Sequence, residues 1–369
     1  MTILHISGAR SWGGNEQQIV DLIPELKKLN VENIVYGIKN SPLHKFLSDT
    51  DTMFLCAKEK KISKKGNLGQ LKKISQKYNP DIIHLHTSDS ATLFVLTDLI
   101  HRIKIPAILS KKGMGKSMSL LSLYKYNYKN IKKIICVSKA VKWDLQKKVI
   151  REENHNKLEV VYDGVNLDRT KVVRTENLQK MFNILAGFKI LGNIANHTTA
   201  KDLGVLVKTM DHLVNKLNVK DVHLVQIGEF SKLTPELKSQ IINLNLESYI
   251  TLGGFQKNAV DFIPQFDIYV MSSEREGLPI TIFEAFYKKT PVVSTKAGGI
   301  PEAIEDGVNG YLADIKDYKM LAKKIALLLN DNDLKLQFIE KSEVIFFNKF
   351  VASITAKNTF EIYNKVISL

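Results

Sequence analysis

Cysteine is nearly absent from this chain: Cys56 and Cys136 are the only two in 369 residues. Both stand in apolar surroundings, so free buried thiols in a reducing compartment are expected and a disulfide-stapled fold is excluded. No His/Cys cluster has zinc spacing. No run of 18 apolar residues occurs, which excludes a transmembrane helix. The opening MTILHISGARSWGG lacks a basic n-region and a long apolar h-region, and reads as strand and loop rather than signal peptide. Acid is scarce in one half. Residues 1–170 carry 29 Lys+Arg against 16 Asp+Glu, whereas residues 171–369 carry 24 against 22. From Leu99 to Trp143 there are 11 basic residues and no acid. That asymmetry implies an anionic partner for the N-terminal half, with a lysine-rich composition and solvated faces as the alternative. No nucleic-acid-binding module is recognisable, so nucleic acid is not the expected partner.

What is present is an α/β pattern. The length suits about two domains. The most informative stretch runs from Phe266 to Leu312, FDIYVMSSEREGLPITIFEAFYKKTPVVSTKAGGIPEAIEDGVNGYL. The apolar run Phe266–Met271 predicts a buried parallel strand. Ser272 and Ser273 offer helix-capping hydroxyls ahead of the TIFEAF helix. A second strand, Pro291 to Ser294, ends at Gly298-Gly299, and Pro301 opens the next helix. Strand, turn, helix, repeated, is a Rossmann-like half, and such sheets bind ligands at the carboxyl ends of their strands. Two carboxylates stand there, Glu276 in the turn and Glu284 on the helix. Carboxylates suit polyhydroxylated ligands because each accepts several hydroxyl hydrogen bonds. The N–H groups after Glu276, at Gly277 and Leu278, suit a phosphate.

The rest of the chain continues the pattern. ILHISG predicts a first strand, leading through Gly13 and Gly14 into an amphipathic helix to Leu29; the two glycines let backbone approach a ligand closely. VENIVYGI reads as strand two and residues 64–79 as a basic helix. PDIIHLHTS reads as a buried strand carrying His84, an interior group, and His86, near the strand's carboxyl end. IPAIL precedes Ser110-Lys111-Lys112-Gly113-Met114-Gly115-Lys116-Ser117. This run fails as a P-loop because Ser110 occupies the place of the first glycine. Met118–Lys133 mixes Leu, Tyr and Lys: a helix on a membrane surface, or a core-facing stripe with a wet basic back. IICVSKAVKWDLQ, FKILGNIANH, HLVQIGE and YITLGGF complete the strands. Gly164 to about Asn177 is expected to be the interdomain hinge, and Ser353–Leu369 an amphipathic helix. Two Asp-x-Asp pairs, Asp49/Asp51 and Asp331/Asp333, sit in polar connectors and read as solvated.

Glu276-x7-Glu284, with EGLP after the first Glu and TKAGGIPE beyond, resembles the signature of the retaining glycosyltransferases of family 4, which have the GT-B fold. The resemblance covers nearly the whole chain. It implies an N-terminal acceptor-binding Rossmann-like domain (1–170), a C-terminal nucleotide-sugar-binding one (171–352), a central cleft, and a terminal helix (353–369) returning to the first domain. By family analogy Glu276 contacts the donor sugar and Glu284 the ribose. Gly14, Asn196, Lys201, Gly228, Gly277 and Leu278 join the donor site. His86 touches the transferred sugar or the acceptor hydroxyl, and Lys111 and Lys112 lie near the acceptor. The family usually has an Arg five residues before the Lys; here Asn196 stands in that place and brings no charge.

The activity so implied is glycosyl transfer with retention. The donor is a nucleotide sugar and the acceptor a glycan or lipid-linked glycan, in bacterial cell-surface polysaccharide or lipopolysaccharide assembly. No metal or other cofactor is expected. The basic N-terminal half fits a phosphate-bearing acceptor or anionic lipid headgroups, hence a cytoplasmic protein with peripheral contact on the inner face of the plasma membrane. The alternatives are a GT-B-fold sugar-nucleotide epimerase, which would need no acceptor, and a non-catalytic basic binding protein.

Overall fold

The computed structural model describes residues 1–115, 119–170 and 176–368, with Arg169 and Thr170 in backbone only. Lys116 and Ser117 of the P-loop-like run, Met118 at the start of the Met118–Lys133 stretch, and residues 171–175 of the expected hinge lie outside the described residues. The chain forms two compact units, Met1–Asn166 with Val351–Leu369, and Leu167–Phe350.

The first unit is built on seven parallel strands: β1 (Thr2–Ser7), β2 (Glu32–Gly37), β3 (Met53–Cys56), β4 (Ile82–Leu85), β5 (Ala107–Lys111), β6 (Ile131–Cys136) and β7 (Leu158–Val160). Their order is 3-2-1-4-5-6-7. Parallel neighbours need a crossover, and helices such as Gly14–Lys28, Lys65–Tyr78 and Ser88–His101 supply it. The central strands are buried on both faces because helices cover both faces, and are mostly apolar, with His5, Ser7, His84 and Ser110 as buried polar exceptions. The strand order reverses between β1 and β4, which makes their ends the switch point of this sheet. The last helix, Ala352–Ile367, belongs to this unit: Ala356, Ile362 and Tyr363 pack with Ile3, Leu22, Ile82 and Ile108. Gly164 permits its attachment, since a Cβ there would lie 2.3 Å from the backbone carbon of Val351.

The second unit has six parallel strands: β8 (Lys189–Ile194), β9 (Val222–Ile227), β10 (Ile250–Leu252), β11 (Ile268–Met271), β12 (Val292–Thr295) and β13 (Tyr311–Ala313), ordered 10-9-8-11-12-13. Its switch point lies between β8 and β11. Leu191, Leu206, Met210, Leu224, Val270 and Ile325 form its core. Each such fully buried side chain contributes on the order of 2 kcal/mol. Phe283, on the helix Ile280–Tyr287, stacks on Phe350 with ring centroids 3.9 Å apart.

Three details differ from expectation. Met118–Lys133 is not one helix. Its helix spans Leu120–Tyr126, and Ile131 already begins β6. Tyr128 and Asn130 turn the chain by both donating to the Asp98 carboxylate, at 2.7 and 2.6 Å. It is not a core-facing stripe with a wet basic back: Leu120, Leu121 and Tyr124 are exposed, whereas Lys125 and Tyr126 are buried and Lys125 donates to the Ser88 carbonyl. Ser110 and Lys111 lie inside β5 rather than in a loop. Ser272 and Ser273 cap no helix, because the helix starts only at Ile280 with Pro279 as its N-cap.

Candidate functional site

In the second unit, three loops converge on Glu276. The Glu276 carboxylate Oε1 accepts from Lys201 Nζ at 2.6 Å and from the Ser273 hydroxyl at 2.6 Å. Lys201 comes from the turn after β8, and that turn is tied to the loop after β11 across the switch point. The N–H groups of Glu274 and Arg275 donate to the Ala200 carbonyl, at 2.8 and 3.2 Å. The Ser272 hydroxyl reaches the carbonyls of Lys201 and Asp202, at 3.1 and 3.0 Å. The loop after β12 closes the third side. The Thr295 hydroxyl donates to the Ser273 carbonyl (2.6 Å), and Gly299 N–H to the Gly277 carbonyl (3.0 Å). Gly298, at φ +55°, comes so close that a Cβ would lie 1.8 Å from the Glu276 carbonyl oxygen.

Glu284 sits on the first turns of the helix Ile280–Tyr287 and is buried. Tyr269 lies on β11, and its hydroxyl donates to the Ile194 carbonyl at 3.3 Å. Burial pushes the Tyr269 hydroxyl up, and the nearby Glu284 and Glu276 carboxylates push it further. Leu278 and Gly277 are buried between the two carboxylates in sequence. At the neighbouring strand ends, the exposed Asn196 side chain accepts from Glu229 N–H at 2.9 Å. Asn196 therefore holds the loop after β9 through its oxygen, and only its amide N–H groups are left to meet a ligand. Gly228 passes so close to β8 that a Cβ would lie 2.0 Å from the Ala195 carbonyl oxygen.

In the first unit, the sequence-predicted His86 proves to be one of a cluster. His5 and His84 are register partners on β1 and β4, and His86 follows two residues on, so all three rings share one face. His5 Nδ1 lies 2.9 Å from His86 Nε2, and His5 Nε2 lies 2.9 Å from Asn33 Oδ1. His84 meets the Tyr363 hydroxyl at 2.6 Å and the Ser110 hydroxyl at 2.8 Å. The tautomers follow. Asn33 donates its amide to the Val31 carbonyl, so its oxygen faces His5 and takes the Nε2 proton. His5 Nδ1 is then an acceptor, His86 Nε2 donates to it, and His86 Nδ1 keeps a buried lone pair with no partner. Burial lowers His5 to about 4 and puts His84 and His86 well below the ordinary histidine range, so the cluster is neutral. Ligand atoms of the three lie within 4.8 Å of one another, a donor set a metal ion could use. Five of the six ring nitrogens already have partners.

Gly14 starts the helix Gly14–Lys28, and nothing lies within 4 Å of where its Cβ would be, so the position is open. The first turn of that helix carries Glu16, which the sequence reading passed over. Glu16 is buried beside Gly13, accepts from the Ser7 hydroxyl at 3.4 Å, and is pushed up to about 7 by burial. Lys112 pairs with buried Asp163. Lys111 is lowered by burial, the direction a lysine must move to lose its proton more readily. The structure thus brings Lys201 and Glu276 into contact in one unit, with Glu284 buried on the helix that follows, and places His86, Gly14, Lys111 and Lys112 at strand ends of the other.

Two doubly wound parallel sheets with polar groups gathered at their switch points define a protein of two Rossmann-like units. The family model described as Glycosyltransferase Family 4 matches residues 12–169, and that described as Glycosyl transferases group 1 matches residues 175–344. Together they span most of the chain, which belongs to this family and is a glycosyltransferase. Over 288 residues it is 24% identical to N-acetyl-alpha-D-glucosaminyl L-malate synthase of Bacillus anthracis, covering 76% of this chain and 74% of that protein. Over 236 residues it is 22% identical to the capsular polysaccharide biosynthesis glycosyltransferase CapM of Staphylococcus aureus, covering 63% and 61%. Its fold is GT-B. The crystal structure of Anabaena HepE in complex with UDP-glucose matches with a TM-score of 0.82, at 17% identity, over 99% of this chain and all of that one.

Proposed function

We propose that this glycosyltransferase moves a sugar from a nucleotide-sugar donor to a glycan or lipid-linked glycan in bacterial surface-polysaccharide assembly, with retention at the anomeric carbon. The observation that carries the proposal is the Lys201–Glu276 pair at the switch point of the second unit, with Glu284 behind it. A nucleotide sugar presents an anionic diphosphate bonded directly to a hydroxyl-rich ring. A cation and a carboxylate 2.6 Å apart match those two features in the same order. Lys201 and the N–H groups around Gly277 and Leu278 stabilise the leaving diphosphate, which is electrostatic work that needs no metal ion. Glu276 grips sugar hydroxyls and orients the anomeric carbon. Glu284 holds the ribose, and Asn196 and Gly228 border the nucleotide.

In retaining transfer of this kind the departing phosphate takes the acceptor's proton on the same face of the sugar, so no side chain has to act as nucleophile. Acceptor binding falls to the first unit. There the neutral His86 offers an unpartnered Nδ1 lone pair to a hydroxyl, and Lys111 and Lys112 lie along the same strand edge. Work on a cytoplasmic acceptor, with peripheral contact with the inner leaflet, completes the reading. The support is the N-terminal basic excess and relatives such as CapM.

The test is a thermal-shift panel of UDP-, GDP-, ADP- and CDP-sugars, with Glu284→Ala alongside. One nucleotide class is expected to raise the midpoint of the wild type and not of the variant, by an amount that follows ligand excess over Kd. If none does so, the donor assignment fails.

A further inference from the structure

In the acid-free stretch Leu99–Trp143 the positive charge is partly withdrawn from solvent: Lys111, Lys112 and Lys125 are half-buried or buried and Lys112 and Lys125 are partnered, whereas Arg102, Lys104, Lys129 and Lys139 are exposed but scattered along the sequence. A shorter segment concentrates exposed lysines. Between β3 and the helix Lys65–Tyr78, the chain presents Lys58, Lys60, Lys61, Lys64 and Lys65, all exposed, against one acid, Glu59. Among the described residues, the ion pair made by these lysines is Lys61 with Asp89, at 3.8 Å and half-exposed on both sides.

The loop is held in place by buried groups. Asn67, fully buried, makes four hydrogen bonds to it: its oxygen accepts from Lys58 and Glu59 N–H (3.0 and 3.2 Å), and its nitrogen donates to the Lys61 and Ile62 carbonyls (both 3.1 Å). Ile62, also fully buried, is pressed against the end of β1; a Cβ on Gly8 would lie 2.5 Å from its Cγ2. Gly8 in turn bonds Thr87, the residue after His86, at 3.1 Å. The loop is therefore anchored at the β1/β4 switch point of the first unit, where Lys61 pairs with Asp89, three residues after His86. The helix that follows has no acid of its own in its first turn; the Glu59 carboxylate, against Gly66, and Asp89 are the acids near these five lysines.

Ordering like charges side by side is unfavourable in itself, and a loop needing only solubility has no use for it. We propose that this loop is a phosphate subsite: the acceptor carries phosphate groups, as a sugar phosphate, polyol phosphate or lipid-linked pyrophosphate does, and the lysines bind them as point charges. The inference rests on the reading that the first unit binds the acceptor, and it names that acceptor's chemistry.

The test compares the wild type, a variant with Lys60, Lys61, Lys64 and Lys65 all changed to Ser, and an equal-charge control with exposed Lys216, Lys220, Lys319 and Lys323 changed to Ser. Each is titrated calorimetrically with inorganic tripolyphosphate at about 50 and about 200 mM salt, which changes charge screening by a known amount. Each is also sedimented with phosphatidylglycerol/phosphatidylcholine vesicles. The loop variant is expected to bind tripolyphosphate about tenfold more weakly or worse while the control matches wild type. Loss of tripolyphosphate binding alone assigns a soluble phosphate acceptor, and loss together with vesicle binding assigns a lipid-linked one. The proposal is overturned if wild type does not bind tripolyphosphate, if loop and control variants weaken equally, or if only vesicle binding is lost. The nucleotide-sugar thermal shift, run on the same samples, reads the donor site separately. A failed phosphate subsite with an intact donor shift leaves the transferase reading standing.

Discussion

Replacing Gly298 by alanine is expected to dismantle the loop that carries Glu276 while leaving the second unit folded. The residue sits at φ +55°, where an L side chain costs about 1–2 kcal/mol. The added Cβ would also lie 1.8 Å from the Glu276 carbonyl oxygen and 2.8 Å from its carbon, against about 3.4 Å for ordinary contact. The two loops must part by about 1.6 Å, and the obstacle is backbone, so no rotamer change relieves it. Such overpacking adds about 1–3 kcal/mol. The displacement falls on the residue whose carboxylate meets Lys201, and it strains the Gly299–Gly277 hydrogen bond. Gly307→Ala isolates the backbone cost: Gly307 has φ +77°, and nothing lies within 4 Å of its would-be Cβ. In calorimetry, Gly307→Ala should lower the midpoint of the second unit by about 2–4 °C per kcal/mol and keep the nucleotide-sugar shift. Gly298→Ala should lower it at least about twice as far and lose that shift. Equal midpoints for the two variants, with the shift retained in both, would refute the reasoning.

The Lys201–Glu276 pair gives a kinetic counterpart. Lys201→Met and Glu276→Gln should each lower kcat by about 10²–10³-fold, and the double variant should fall well short of the product of the two losses; simple multiplication in steady-state assays would show that the two act separately. A pH prediction concerns the first unit, which holds both tryptophans, Trp12 and Trp143, so intrinsic fluorescence reports its unfolding. His5 is lowered from 6.5 to about 4. The unfolded chain takes the proton first, so stability falls as pH drops from about 6.5 toward 4, by up to about 3 kcal/mol. Glu16 is raised from 4.5 to about 7 and has the opposite sign: its contribution is complete below 4.5 and is lost as pH rises through 7. Glu16→Gln should therefore steepen the rise of the urea midpoint between pH 5 and 7, and His5→Gln should flatten it. A slope indifferent to both substitutions would show that neither group titrates as its burial demands.

Much of the fold was legible because parallel strands covered on both faces are continuous apolar runs. The strands the sequence reading missed, β3, β7 and β13, are three of the four sheet edges and only three or four residues long, too short to show a period. The loop that carries Glu276 was legible as a motif, since its residues are close in sequence. What holds it was not: Gly298 stands 22 positions from Glu276, and its purpose appears only as an interatomic distance. The histidine cluster failed for the same reason. His5 and His86 are 81 residues apart and meet only because β1 and β4 are neighbours. The basic excess of the N-terminal half is a count, whereas burial decides which lysines face solvent: the acid-free stretch gives Lys125 to the interior and half-buries Lys111 and Lys112, and the lysines of Lys58–Lys65 all stay exposed.

The last helix carries a consequence for biogenesis. Its Tyr363 hydroxyl is the partner of His84, and its apolar face completes the core under β1, β4 and β5. A ribosome delivers those residues after the whole of Leu167–Phe350. The unit that begins the chain is thus the last to be completed. Its sheet waits with an uncovered face while the inserted unit has every residue it needs, so a nascent chain stalled near Phe350 exposes apolar surface from its oldest part, where a chaperone would be required first.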